Sequence, residues 1–293
     1  QALPLLRRMS AQHDEVDQLL ATLQAMPSAN QESLSSGSLK VQRRTFQLAS
    51  GLEVTLVRPL GVPRLPTVVI SHGLWDAPES FLGWADHLAS HGAVVLLPRH
   101  RGSDIDQQAA MLAGLVPPPE PQEFLRRPRE IKLVLDALEA RDLPGVADAP
   151  VRDVVLIGHS WGATTALQLA GARSLPAPIW RACEGLEDSS RNPSWVLQCS
   201  LIQAATDQSL LDERLSRVVA VSPPQALVFA AGLQDLSIPV LVVSGSRDLV
   251  VPAQPEAVAP FRAYPGDRHS LVLVQDGTHF NLPSPAGADG GPL

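Results

Sequence analysis

The sequence predicts an α/β fold, a mostly parallel central sheet with helices on both faces. Two observations carry this. Short continuous apolar runs, the signature of strands buried on both sides, alternate along the chain with longer segments of helical spacing. One junction between the two, "VRDVVLIGHSWGATTALQLAGA" (151–172), passes from apolar strand to helix through a turn bounded by glycines.

The elements follow in order. Residues 1–25 read as an amphipathic helix ending at Met26-Pro27, and the Ser-, Gly- and Asn-rich 28–40 as a linker. Segments 41–48 and 52–57 alternate around Ala49-Ser50-Gly51 as a β-hairpin. Thr67–Ser71 is a buried strand, followed by His72-Gly73-Leu74-Trp75 and a helix over about 79–91. A strand at 93–97 runs into Pro98-Arg99-His100-Arg101-Gly102. Residues 103–126, with Pro117-Pro118-Pro119 and no clear strand, read as a long functional loop, a lid or substrate wall. A helix over roughly 127–141 leads to a strand at 154–157 and the next helix. Residues 173–214 are a second insertion, carrying Trp180, Trp195 and both cysteines. Strands at 218–221, 240–244 and 271–274 complete the pattern, separated by helical segments. The organisation is a helix and linker (1–40), one domain (41–283) with insertions at 103–126 and 173–214 that form a lid or cap, and a Pro- and Gly-rich disordered tail (284–293).

The 293 residues, 45% of them hydrophobic, suit one large domain with decoration. A net charge of −7 without a clustered basic face argues against nucleic acid and anionic membrane surfaces as partners. No apolar run approaches the roughly eighteen residues that span a bilayer. The chain begins at Gln1 and reads as processed or trimmed, so the lack of a leader says nothing about export. Cys183 and Cys199 can close a short loop as a disulfide, which would favour an oxidising compartment, periplasmic or extracellular; otherwise they are two buried thiols and the chain is cytoplasmic. No Cys/His cluster has zinc spacing, so no metal is expected. His13, His87, His91 and His269 read as ordinary surface or half-buried residues.

The chemistry gathers around Ser160 in Gly-His-Ser-Trp-Gly, a strand-to-helix turn that lifts a serine hydroxyl above a sheet edge. Gly-x-Ser-x-Gly arises by chance in roughly one chain of this length in ten, so partners must be found. A serine nucleophile needs a base, and the base needs a carboxylate to hold its tautomer. Beyond Ser160 only His269 and His279 remain; His269 precedes its strand, whereas His279 follows the strand at 271–274. Asp248, in "SGSRDLVVP" just past the strand at 240–244, is the acid; Asp235 precedes that strand and Asp276 shares the loop of His279. The backbone N–H groups of Leu74 and Trp161 are placed to form an oxyanion hole, with Gly73 allowing close approach. His72 is expected to order that loop by hydrogen bonding. Trp75 and Trp161 either wall an apolar pocket or belong to the core.

The set "SHGLW", "LASHGAVVLLPRHRG", "GHSWGATTALQLAG", "SGSRDLVVP" and "GTHFN" resembles an α/β-hydrolase over roughly residues 41–283. It is most similar to the branch of dienelactone hydrolase-like esterases, platelet-activating-factor acetylhydrolases and bacterial polyester hydrolases. The resemblance implies a serine carboxylic-ester hydrolase, with no cofactor, acting on a small-molecule or lipid ester through Ser160, Asp248 and His279, with Leu74 and Trp161 as oxyanion hole. The alternatives are an acyltransferase using the same triad and a non-catalytic binding module. Dienelactone hydrolases use a cysteine where this chain has Ser160, and the acetylhydrolases place their acid one strand earlier, where this chain has Ser222. Residues 1–40 match none of these motifs, and resemble the end of a helical extension in some exported cyanobacterial relatives.

Overall fold

A computed structural model describes residues 2–23, 35–63, 65–175, 183–184 and 194–282. Trp180, most of the expected linker and the expected tail lie outside the described residues. Eight strands form one sheet: β1 (Val41–Gln47), β2 (Glu53–Pro59), β3 (Thr67–Ser71), β4 (Val94–Pro98), β5 (Val154–His159), β6 (Leu215–Val221), β7 (Val240–Gly245) and β8 (Ser270–Val274). Their spatial order is β1-β2-β4-β3-β5-β6-β7-β8. β1 and β2 are the expected hairpin, turning through Gly51 at φ 83°, a left-handed conformation that favours glycine. β1 meets β2 and β2 meets β4 antiparallel, and the other five pairings are parallel. From β3 the chain moves outward to β4, then returns to lay β5 on the other side of β3. The crevice at the carboxyl ends of β3 and β5 is therefore the place where strand order reverses, where open α/β sheets hold their sites.

Side-chain alternation along the strands builds two cores. Val68, Ile70, Val95 and Leu97 face Phe81, Ala85 and Ala89, from the turn Pro78–Phe81 and helix α2 (Leu82–Ser90). Val69, Leu96 and Leu156 face the opposite way, into a larger core with Ile131, Leu135 and Leu167. These last come from α4 (Glu123–Glu139) and α5 (Trp161–Leu169). Each fully buried Ile or Leu contributes about 1.5–3 kcal/mol, so the central strands are fixed from both sides.

Residues 103–126 are not the long loop that the sequence suggests. They contain α3 (Ile105–Leu112), capped by Asp104, whose Oδ1 accepts the Gln107 N–H at 3.0 Å. None of its side chains is buried, so its apolar residues gave no core-facing stripe to read. α4 also starts at Glu123, four residues earlier than expected, with Pro128 inside it. Proline lacks the N–H that would reach the Phe124 carbonyl, and Gln168 Nε2 donates to that oxygen instead, at 3.0 Å.

The second insertion carries α6 (Ser194–Ser200), tied by the Cys183–Cys199 disulfide with a Cα separation of 5.6 Å. A fully buried carboxylate fastens it below. Glu256 accepts Ser194 Oγ at 2.6 Å, Gln198 Nε2 at 3.0 Å, and the N–H groups of Gln225 and Ala226 at 2.9 and 3.0 Å. Glu256 lies in a π-helical turn (Gln254–Val258) that leads into α7 (Ala259–Phe261). The N-terminal helix α1 (Ala2–Thr22) packs on the domain: Val16 is buried, and Asp17 forms a bidentate pair with Arg247 at 3.0 and 2.8 Å. Among the described residues no helix is long and apolar enough to cross a membrane.

Candidate active site

Ser160 stands between β5 and α5 with φ 52° and ψ −119°, a strained conformation for any residue with a side chain. Its N–H donates to Val221 O at 2.9 Å, while its carbonyl accepts from Ala163 and Thr164 as the first bonds of α5. The flanking glycines are a steric need. A Cβ on Gly158 would run into the Gly162 carbonyl, and one on Gly162 into the Ser71 carbonyl of β3. The turn thus exists only because two backbones touch.

β7 and β8 deliver the partners. Asp248 is buried beyond β7, and its Oδ1 accepts the N–H groups of Val250 and Val251 at 2.9 and 2.7 Å. Its Oδ2 lies 2.9 Å from His279 Nδ1. A carboxylate only accepts, so Nδ1 carries the proton and Nε2 presents its lone pair. The loops of Asp248 and His279 are laced through the backbone, Ser246 N–H to Val274 O at 2.9 Å and Arg247 N–H to Gly277 O at 2.8 Å. Gly245 and Gly277 meet face to face, with no space for a side chain on either. Thr278 and Asn281 brace the ends of the His279 turn, the Asn281 carboxamide oxygen accepting the Thr278 N–H at 2.7 Å.

The structure brings Asp248 and His279 into direct contact, and places His279 against the residue before Ser160. His159 Nε2 lies 3.0 Å from the His279 carbonyl oxygen, and the two rings are 4.8 Å apart. Among the described residues, Ser160 Oγ makes no hydrogen bond to His279. The competing carboxylates stand elsewhere: Asp276 is exposed, and Asp235 pairs with Arg173 at 2.7 Å before β7 begins. Ser222, just past β6, is buried with φ 48°, and its hydroxyl has no partner among the described residues.

On the other side of Ser160 is the turn after β3. Among the described residues, neither the Leu74 nor the Trp161 N–H has a hydrogen-bond partner, and the latter opens α5, where the helix dipole favours negative charge. His72 orders this turn, as expected. Its Nε2 accepts the His100 N–H at 3.0 Å, so its Nδ1 carries the proton given to Gly73 O at 2.8 Å. Burial, aided by the neighbouring His100 and Arg127, holds His72 well below the usual histidine range and therefore neutral. Arg127 of α4 is fully buried, with Nη1 on His72 O at 2.6 Å, Nη2 on Gly73 O at 3.0 Å and Nε on Ser103 Oγ at 2.9 Å. Burial pulls its guanidinium down to about 10, which leaves it charged at neutral pH.

Trp75 is half-buried at φ 58°, its Nε1 donating to Gln107 Oε1 at 3.0 Å. The Trp161 indole, by contrast, is in the core beneath Arg127, 5.6 Å from the guanidinium carbon to the ring centre. Among the described residues no group of three or more His, Cys, Asp or Glu converges to hold a metal ion.

A strained serine at a glycine-bounded turn, at the reversal point of a mostly parallel sheet, sets the fold apart from other doubly wound sheets. The family model described as the alpha/beta hydrolase family matches residues 68–288, well over half of the chain. The chain belongs to the alpha/beta hydrolase family. A segment of 115 residues is 29% identical to chlorophyllase-1, chloroplastic, of Citrus sinensis. The match takes in 39% of this chain and 31% of the relative's length. As an alpha/beta hydrolase, the chain places its sequence-nominated residues at strand ends, yet two buried side chains escaped that reading. His159 gave a signal, a histidine ending an apolar strand. Arg127 gave none, since its acceptors lie 24 to 55 residues away.

Proposed function

We propose that the protein is a serine carboxylic-ester hydrolase. The observation that carries this reading is the 2.9 Å contact of His279 Nδ1 with Asp248, on loops that also hold His279 against the strained Ser160 turn. His279 Nε2 takes the proton of Ser160 Oγ as that oxygen attacks the ester carbonyl. The Leu74 and Trp161 N–H groups receive the oxyanion, His279 gives the proton to the leaving alcohol, and the acyl group stays on Ser160. Water then repeats the sequence, its proton passing through His279, and frees the acid. No step needs a cofactor.

The substrate on this reading is an apolar or lipid-like ester. Phe280 and Leu249, each next to a nominated triad residue, are 74% and 51% exposed, and Ile105, whose N–H donates to Asp76 O just past the Leu74 turn, is exposed as well. On this reading the chain stands with the dienelactone hydrolase-like, platelet-activating-factor acetylhydrolase-like and bacterial polyester hydrolase branch, as the resemblance of its motifs implies. The disulfide supports function in an oxidising compartment. A fluorophosphonate probe with peptide mapping tests the nucleophile: label on Ser160, lost in Ser160→Ala together with turnover of nitrophenyl esters, is expected. Wild-type turnover by folded Ser160→Ala would end the reading.

A further inference from the structure

We infer that Arg127 is a positioning residue for the oxyanion hole, fixing the Gly73–Leu74 peptide and so the aim and strength of the Leu74 N–H. This rests on the reading of Ser160 as nucleophile. The Leu74 N–H and the Gly73 carbonyl belong to one planar trans unit, pointing in opposite directions. Whatever holds the carbonyl therefore aims the N–H. That carbonyl has two donors, Arg127 Nη2 at 3.0 Å and His72 Nδ1–H at 2.8 Å. A second fork of the same guanidinium holds the preceding carbonyl, of His72, at 2.6 Å, so the plane can neither tilt nor flip.

The guanidinium is itself locked. Ser103 Oγ accepts its Nε–H at 2.9 Å and donates to Glu123 Oε2 at 2.9 Å. Trp161, whose N–H is the other nominated donor, lies under its face. One buried cation thus holds the loop of one nominated donor and lies over the indole of the residue that supplies the other. It also polarises: positive charge at the carbonyl end of an amide draws electron density from its nitrogen, and in a dry site that field is little screened. Among the described residues no carboxylate pairs directly with Arg127, although Glu123, Glu130, Asp76 and Asp104 are near enough to offset part of its charge.

Arg127→Lys keeps a charge without the planar fork, and Arg127→Met keeps bulk without charge. On the full chain the readouts are the rate at which a fluorophosphonate labels Ser160, kcat and KM on nitrophenyl esters, the rate ratio of an ester to its thionoester, and Tm. Sulfur is a poor hydrogen-bond acceptor, so that ratio reports the hole itself. Both variants should label and turn over about tenfold to a hundredfold more slowly, with KM within about threefold of wild type and a ratio falling towards one. Folded variants that label at wild-type rate overturn the inference. So does a rate loss that follows KM or Tm while the ratio stays unchanged, which would make Arg127 merely structural. Wild-type protein that never labels at Ser160 removes the serine-hydrolase reading, and this inference with it. Wild-type labelling with unaffected variants removes only the role of Arg127.

Discussion

His159 Nε2 donates to the carbonyl oxygen of His279 at 3.0 Å, across 120 residues of sequence. The residue before the nominated nucleophile thus holds the backbone of the nominated base. Because a carbonyl only accepts, the proton is on Nε2, and Nδ1 is buried without a partner among the described residues.

His159→Leu should therefore loosen His279 and lower kcat about tenfold, the value of one buried hydrogen bond, while His159→Gln, which keeps a donor, should retain most activity. Steady-state kinetics on nitrophenyl esters decide this. Equal activity in both variants would show that the contact does not position the base.

The same residue makes a pH prediction. Burial, then the nearby His279, push His159 down to about 3 from the ordinary histidine value of 6.5. The unfolded chain thus binds a proton below its ordinary value that the native state refuses until far lower pH. Stability is lost as pH falls through that window, by up to about 1.4 kcal/mol per pH unit. His159→Gln lacks this liability. In denaturant titrations, the stability difference between wild type and His159→Gln should shift in the variant's favour between about pH 6 and pH 4.5. A difference that stays flat would show that His159 takes up its proton without unfolding.

Asp248→Asn should cut kcat by about ten-thousand-fold with little change in Tm, since it removes the acceptor that fixes the tautomer and steadies the imidazolium. Asp276→Asn and Asp235→Asn should stay within about tenfold of wild type. Kinetics on the three variants check this, and near-normal activity in Asp248→Asn would reassign the acid.

Loss of the disulfide in Cys183→Ser/Cys199→Ser should lower stability by about 3 kcal/mol in the chain-entropy view. Hydrogen exchange should speed up in 194–204 and leave β3 to β7 protected. Faster exchange throughout the sheet would mean that the bridge supports the whole domain.

How far the fold could be read in advance depended on burial pattern. β3 and β5 were legible because burial on both faces writes an unbroken apolar run, and that placed Ser160 at a strand end. The ends of β7 and β8 likewise located Asp248 and His279. α3 was not legible, since a short helix that buries nothing leaves no stripe. α4 starts four residues before the expected 127 and carries Pro128 inside it; the Gln168 side chain that takes up the carbonyl left free is 40 positions from that proline. Contacts of that kind, like those of Arg127 and His159, join polar groups through space and leave no period in the sequence.

The face-to-face glycines, Gly245 and Gly277, have a consequence for how activity ends. With no side chain between them and backbone bonds on either side, the loops of Asp248 and His279 form a two-ply unit, and neither ply can peel away while the other stays in register. Heat or denaturant should then remove Asp248 and His279, the proposed acid and base, in a single event. A half-assembled centre, with a histidine still facing Ser160 and no carboxylate behind it, has no place on the way to the unfolded chain.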